Sequence, residues 1–115
     1  MKPEPWQQLV IDTLKELSDE SFQERAWVRG EGDGISSPLE TVNQLFDDSG
    51  LGDLLVAGGA FSDGADMALR KLGNLVDAID FERPIEDLLA DSNWLKLRLL
   101  AAQAMHEVKK SIDEN

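Results

Sequence analysis

Apolar residues recur at helical spacing along most of this chain. Trp6, Leu9, Val10, Leu14 and Leu17, with Thr13 among them, fall at i, i+3, i+4 and i+7, while Gln7, Gln8, Asp12, Lys15 and Glu16 take the other side. That pattern predicts an amphipathic helix. Pro5 suits its first turn, where the missing N–H is one that would be unpaired anyway. Ser18 or Asp19 is placed to cap a second, shorter helix with Phe22, Ala26 and Trp27 turned inward. Ser37 at the N-cap, Pro38 behind it and Glu40 three residues on form a capping-box signal for a third helix, with Leu39, Val42, Leu45 and Phe46 on its apolar side. Asp63 is the expected cap of a longer helix carrying Ala65, Ala68, Leu69, Leu72, Val76 and Ile79 on one face. Pro84 then opens a short helix with Ile85, Leu88 and Leu89 inward, and Asp91 or Ser92 caps the last one.

In that last helix Trp94, Leu95, Leu97, Leu99, Leu100, Ala101, Ala102, Ala104 and Met105 are spread almost all the way round. Such a distribution predicts a central position in a bundle. Truncating Leu99 to Ala is accordingly expected to cost about 2–5 kcal/mol through the cavity left behind. Lys109 and Lys110 favour the negative end of the helix dipole, and residues 111–115 are expected to fray. Residues 49–64 are ambiguous, since Leu51, Leu54, Leu55 and Val56 fit either a buried helical turn or a short extended piece, ended in both cases by Gly58-Gly59. Residues 30–34, with glycine at alternate positions, make an acidic loop. The expected fold is all-α: an irregular bundle of about five or six helices in a single domain spanning residues 1–115.

Composition changes this picture through charge. The chain has 115 residues, 23 acids against 11 Lys and Arg, and a net charge of −12. Binding to nucleic acid depends on cations displacing counterions from phosphates, so nucleic acid is not an expected partner, and an anionic membrane surface is disfavoured for the same reason. The absence of cysteine excludes disulfides and thiolate metal sites. The first residues lack the apolar run of a signal peptide, and no stretch approaches the ~18 apolar residues of a membrane span, so a cytoplasmic location is expected. Oligomeric state is left open.

Candidate chemistry is sparse. His106 is the one histidine, and its spacing from Leu95, Leu99 and Ala102 puts it on a mostly apolar helical face, as a core or boundary residue rather than a general base. The Asp47-Asp48-Ser49-Gly50-Leu51-Gly52-Asp53 run offers oxygen ligands but misses the alternating ligands and closing Glu of a calcium loop. The Gly30-Glu31-Gly32-Asp33-Gly34 run interleaves acids where a phosphate cradle needs amide groups leading into a helix, usually with a lysine. No catalytic, cofactor-binding or metal-ligating residue is assigned, and enzymatic activity is not expected.

What does stand out is a stretch without cations. Between Arg29 and Arg70 there is no Lys, Arg or His, while Glu31, Asp33, Glu40, Asp47, Asp48, Asp53, Asp63 and Asp66 all fall inside it. Such a field of one sign destabilises an isolated fold and invites a cationic partner. Asp63 and Asp66 have a local explanation at the positive end of their helix, whereas Asp47 and Asp48 stand at the unfavourable end of theirs. Arg25 is the expected ion-pair partner for one of these two if the second and third helices pack together.

The segments Phe-Gln-x-Arg-x-Trp-Val (Phe22 to Val28), Leu-Phe-Asp-Asp (Leu45 to Asp48), Leu-Arg-x-Leu (Leu69 to Leu72) and Asp-x-x-Trp (Asp91 to Trp94) resemble, in order, a family of small bacterial helical proteins of unassigned activity. The chain also resembles the small acidic immunity proteins encoded beside contact-dependent toxins. That resemblance implies an inhibitor that occludes the basic surface of a cognate toxin domain, a nuclease in the first instance. Glu31, Asp33, Asp47, Asp48 and Asp53 are the expected partner-binding residues. The alternative is a cytoplasmic adaptor or regulatory module that binds protein through an apolar groove.

Overall fold

Capping decides where most of the helices begin. In the computed structural model, which describes residues 2–31 and 37–113, α1 (Pro5–Ser18) opens with Pro5 at its first position. The Glu4 N–H donates to Gln7 Oε1 just ahead of it, at 2.9 Å. Asp19, rather than Ser18, caps α2 (Glu20–Gln23), accepting from the Phe22 N–H at 3.0 Å. Ser37 caps α3 (Pro38–Asn43) through the Glu40 N–H. The ambiguous stretch is helical, forming α4 (Leu51–Ala57). Ser62, one residue before the expected Asp63, caps α5 (Asp63–Val76) by accepting from the Ala65 N–H, and Asp63 lies in its first turn. Pro84 precedes α6 (Ile85–Ala90). Asp91 rather than Ser92 caps α7 (Ser92–Asp113), its carboxylate accepting from the Asn93 N–H at 2.7 Å.

The described residues thus form seven α-helices, against the five or six expected, and no strand. The extra helix comes from residues 49–64, whose short apolar run was too brief to show a period. Ile79 falls beyond the end of α5, half-buried in a closing turn. Two of the short helices widen at their ends into π turns, Glu24–Val28 after α2 and Gln44–Asp48 after α3.

One hydrophobic cluster runs through the molecule, and α7 is its axis, packed chiefly between α1 and α5. The buried residues of α7 are Trp94, Leu97, Ala101, Ala104, Val108 and Ser111, spaced alternately three and four apart, with Ile112 beside the last. That is the spacing of a seam between nearly parallel or antiparallel helices, and the two alanines let the neighbouring backbones come close. Val10, Leu14 and Leu17 of α1 and Ala65, Ala68, Leu69 and Leu72 of α5 face this seam. At its upper end Trp27 and Trp94 meet edge to face, with ring centroids 5.8 Å apart.

Four expectations are corrected here. Leu99 is 73% exposed and Leu95 is 45% exposed, so α7 is covered on its seam and open on the opposite side. His106 lies on that open side, exposed, rather than at the core boundary. The end of α7 stays helical to Asp113, with Ser111 and Ile112 buried, because the Ser111 hydroxyl accepts from the Ser62 N–H at 3.0 Å and ties the two helix ends together. Leu39, placed by periodicity on the apolar side of α3, is also exposed.

The core holds one polar hub. Gln23, fully buried, donates through its side-chain nitrogen to the carbonyls of Glu16 and Leu17 at 2.9 and 2.8 Å, closing the end of α1. Its oxygen accepts from Trp94 Nε1 at 3.1 Å and from Arg98 Nε and Nη2 at 3.2 and 2.9 Å. Trp94 and Arg98 have only donors to offer, which fixes the amide with its oxygen toward α7. A single side chain therefore locks α1, α2 and α7 in register.

Candidate partner-binding surface

The surface carrying Asp47, Asp48 and Asp53 is built on the π turn after α3 and on α4. The Ser49 N–H reaches back five residues to the Gln44 carbonyl, at 3.2 Å. The widened turn keeps Leu45 and Ser49 inside and leaves Asp47 and Asp48 exposed between them. The Ser49 hydroxyl donates to the Leu45 carbonyl and accepts from the Leu51 N–H, so the turn and α4 share one hydrogen-bonded joint. Gly50, at φ +81°, reverses the chain there. A Cβ at Gly52 would stand 3.0 Å from the Phe46 carbonyl oxygen, which is why α4 lies so close against the turn. Asp53 then emerges in the first turn of α4, exposed, and Leu54 and Val56 follow it, the latter 90% exposed.

The far end of α4 is held from α5. Arg70 donates to the carbonyls of Leu55 and Gly58, at 2.9 and 3.3 Å, setting a cation at the negative end of that helix. Asp66 is buried and accepts from the Ala60 N–H through both oxygens, at 3.1 and 3.2 Å, and from the Phe61 N–H at 2.9 Å. A Cβ at Gly59, whose φ is +156°, would come within 2.6 Å of that carboxylate. Asp66 is thus a structural anchor rather than part of the acidic field. A second acid one turn into a helix, following Gly58-Gly59, was the only trace of this in the sequence.

Asp47, Asp48 and Asp53 have no such employment. Among the described residues the ion pairs are Arg29–Glu31, Arg83–Asp91 and Arg98–Glu20, and none involves these three. Arg25, the expected partner of Asp47 or Asp48, instead donates to the Ser21 carbonyl of its own segment at 3.3 Å. The packing explains why: its π turn lies on α2 and α6, whereas the turn bearing the two aspartates lies on α1, α3 and α4. Glu31 differs from the other candidates, since Arg29 lies 3.0 Å from it and largely compensates its charge. Its backbone N–H is bonded to the Arg25 carbonyl at 2.8 Å, so it belongs to the α2 side of the molecule. Asp33 lies outside the described residues.

Compared with known proteins, the chain matches no family model, and neither a curated relative nor a solved structure similar to it was found.

Glu16 is half-buried against α3, and its acidity is displaced. Burial pushes its carboxyl above the usual range, the Thr41 hydroxyl at 3.5 Å pulls it partly back, and Asp12 adds to the rise. Among the described residues no group of three or more histidines and carboxylates is arranged to hold a metal ion. Among the described residues no helix is long and apolar enough to cross a membrane.

Proposed function

We propose that this chain is an immunity protein, which binds a cognate cationic toxin domain, a nuclease in the first instance, and covers the basic surface that the enzyme needs for its substrate. The observation that supports this most directly is the state of Asp47, Asp48 and Asp53: exposed, without a cation of their own, and carried on hydrogen-bonded helical backbone beside exposed Val56. Charges held in this way attract an oppositely charged surface without an ordering cost at the moment of binding. The apolar side chains of Leu54 and Val56 supply contact that a purely ionic surface lacks.

The test is a binding titration against the toxin domain encoded beside this chain, at two ionic strengths. Replacing Asp47, Asp48 and Asp53 together with Asn is expected to weaken binding by about tenfold or more at low salt, with a smaller loss at high salt as the ionic contribution is screened. Affinity insensitive both to salt and to the triple substitution would remove this surface from the interface.

A further inference from the structure

We propose that the groove between α5 and α7 is a second docking surface, and that its occupant is an amphipathic helical segment of a partner protein with leucine-like side chains flanked by carboxylates. This does not rest on the toxin-binding proposal, since the groove and the acidic surface share no residue. α5 and α7 run antiparallel, joined at one end by the Ser62 to Ser111 hydrogen bond. Toward the other end they leave an open groove of about 440 Å³ lined by Leu75, Leu99 and Leu100 together with Lys71, Lys96 and Gln103. Leu99 is 73% exposed, and Leu95, one turn before it, is 45% exposed.

Charge identifies the occupant. In a chain with 23 acids this groove is lined by none, and its two charged residues are both lysines. All five arginines are engaged elsewhere: Arg29, Arg83 and Arg98 in ion pairs, Arg70 on the end of α4, Arg25 on the Ser21 carbonyl. Lys71 and Lys96 enter no hydrogen bond or ion pair among the described residues. A second copy of this chain packing symmetrically here would bring four lysines together, and a flat anionic membrane would reach past the groove to the acids that dominate the rest of the surface, whereas a single helix covers the groove alone. An acidic amphipathic helix satisfies both features of the groove: its apolar residues one turn apart cover Leu99 and Leu75, and its flanking carboxylates reach the lysines.

The experiment uses the full chain and two synthetic peptides of about 14 residues, long enough to form helix. One carries leucines a turn apart flanked by glutamates; in the other, lysines replace the glutamates. Titration followed by backbone amide shifts is expected to show the glutamate peptide perturbing Leu75, Leu99 and Gln103. The lysine peptide should leave these untouched. Lys71→Glu with Lys96→Glu should weaken the glutamate peptide by about tenfold or more, two ion pairs becoming two repulsions. Leu99→Ser, at a position exposed enough not to threaten folding, should weaken it as well. Four results would each overturn the proposal: equal perturbation of the groove by the two peptides, shifts from the glutamate peptide centred elsewhere, concentration-dependent shifts at Leu95 and Leu99 in the chain alone, or stronger perturbation of the groove by phosphatidylserine vesicles than by the glutamate peptide.

Discussion

Replacing Gln23 with Leu tests the hub that joins α1, α2 and α7. The substitution keeps the side chain's size but removes one acceptor and one donor group at a fully buried position. Trp94 Nε1, also fully buried, loses its partner, as does the Leu17 carbonyl at the end of α1, while the Glu16 carbonyl keeps only the Asp19 N–H at 3.4 Å. Arg98 loses two donors' worth of contact, although its side chain is 14% exposed and retains Glu20 at 3.6 Å, so water takes up part of that loss. Leaving a buried polar group unpaired costs about 1–3 kcal/mol each, and with Arg98 discounted the expected total is about 3–5 kcal/mol. Urea unfolding followed by tryptophan fluorescence and by far-ultraviolet circular dichroism measures it, and coincident curves license the two-state treatment. A double-mutant cycle with Arg98→Met then isolates the hydrogen bonds from the packing. If the account is right, Gln23→Leu costs less in the Arg98→Met background, with a coupling of about 1–2 kcal/mol. A loss below about 0.5 kcal/mol for the single change, or strict additivity of the two, would mean that the hub does not stabilise the fold.

Further expectations follow from burial and charge. Leu99→Ala should alter stability by less than about 0.5 kcal/mol, as for other exposed positions, while Leu97→Ala two residues away should cost about 2–5 kcal/mol; comparable losses at the two sites would place the wrong face of α7 inward. Asp66→Ala should cost about 1–3 kcal/mol by stranding the Ala60 and Phe61 amides, and hydrogen exchange there should accelerate ahead of the rest of the chain. Glu16, its carboxyl raised chiefly by burial, binds its proton more tightly in the folded state than in the unfolded one. Its contribution therefore favours folding at acid pH and declines as pH rises from the unfolded to the folded value, remaining a penalty above both. Glu16→Gln should remove that slope from the dependence of the urea midpoint on pH; identical slopes in the two proteins would assign it to another group.

The elements of this fold were legible because helix periodicity and capping are local. Ser37, Pro38 and Glu40 mark the start of α3 without any help from the rest of the molecule, and the apolar faces of α1 and α5 follow from spacing alone. Whether Asp19 or Ser18, and Asp91 or Ser92, did the capping turned on one hydrogen bond each, which neighbouring residues of similar type leave open. Only tertiary packing decided the rest. The ring of apolar residues on α7 does not say which sector its neighbours cover, because coverage depends on where α1 and α5 lie; Leu99 therefore looks identical to Leu97 in sequence and differs from it wholly in burial. Arg25 and Asp47 were separated for the same reason, their turns packing on different helices. Gln23, set among polar and charged residues, and Arg70, at the end of the cation-free stretch, gained their roles from partners outside their own helices, Asp66 gained its own from amides just past the Gly58-Gly59 turn, and no spacing rule reaches across 71 residues from Gln23 to Trp94. What the charge pattern did determine was a matter of bookkeeping by type: a stretch without cations has few means of neutralising its own acids, and once packing had assigned Arg70 and Arg25 to carbonyls, Asp47, Asp48 and Asp53 remained facing solvent.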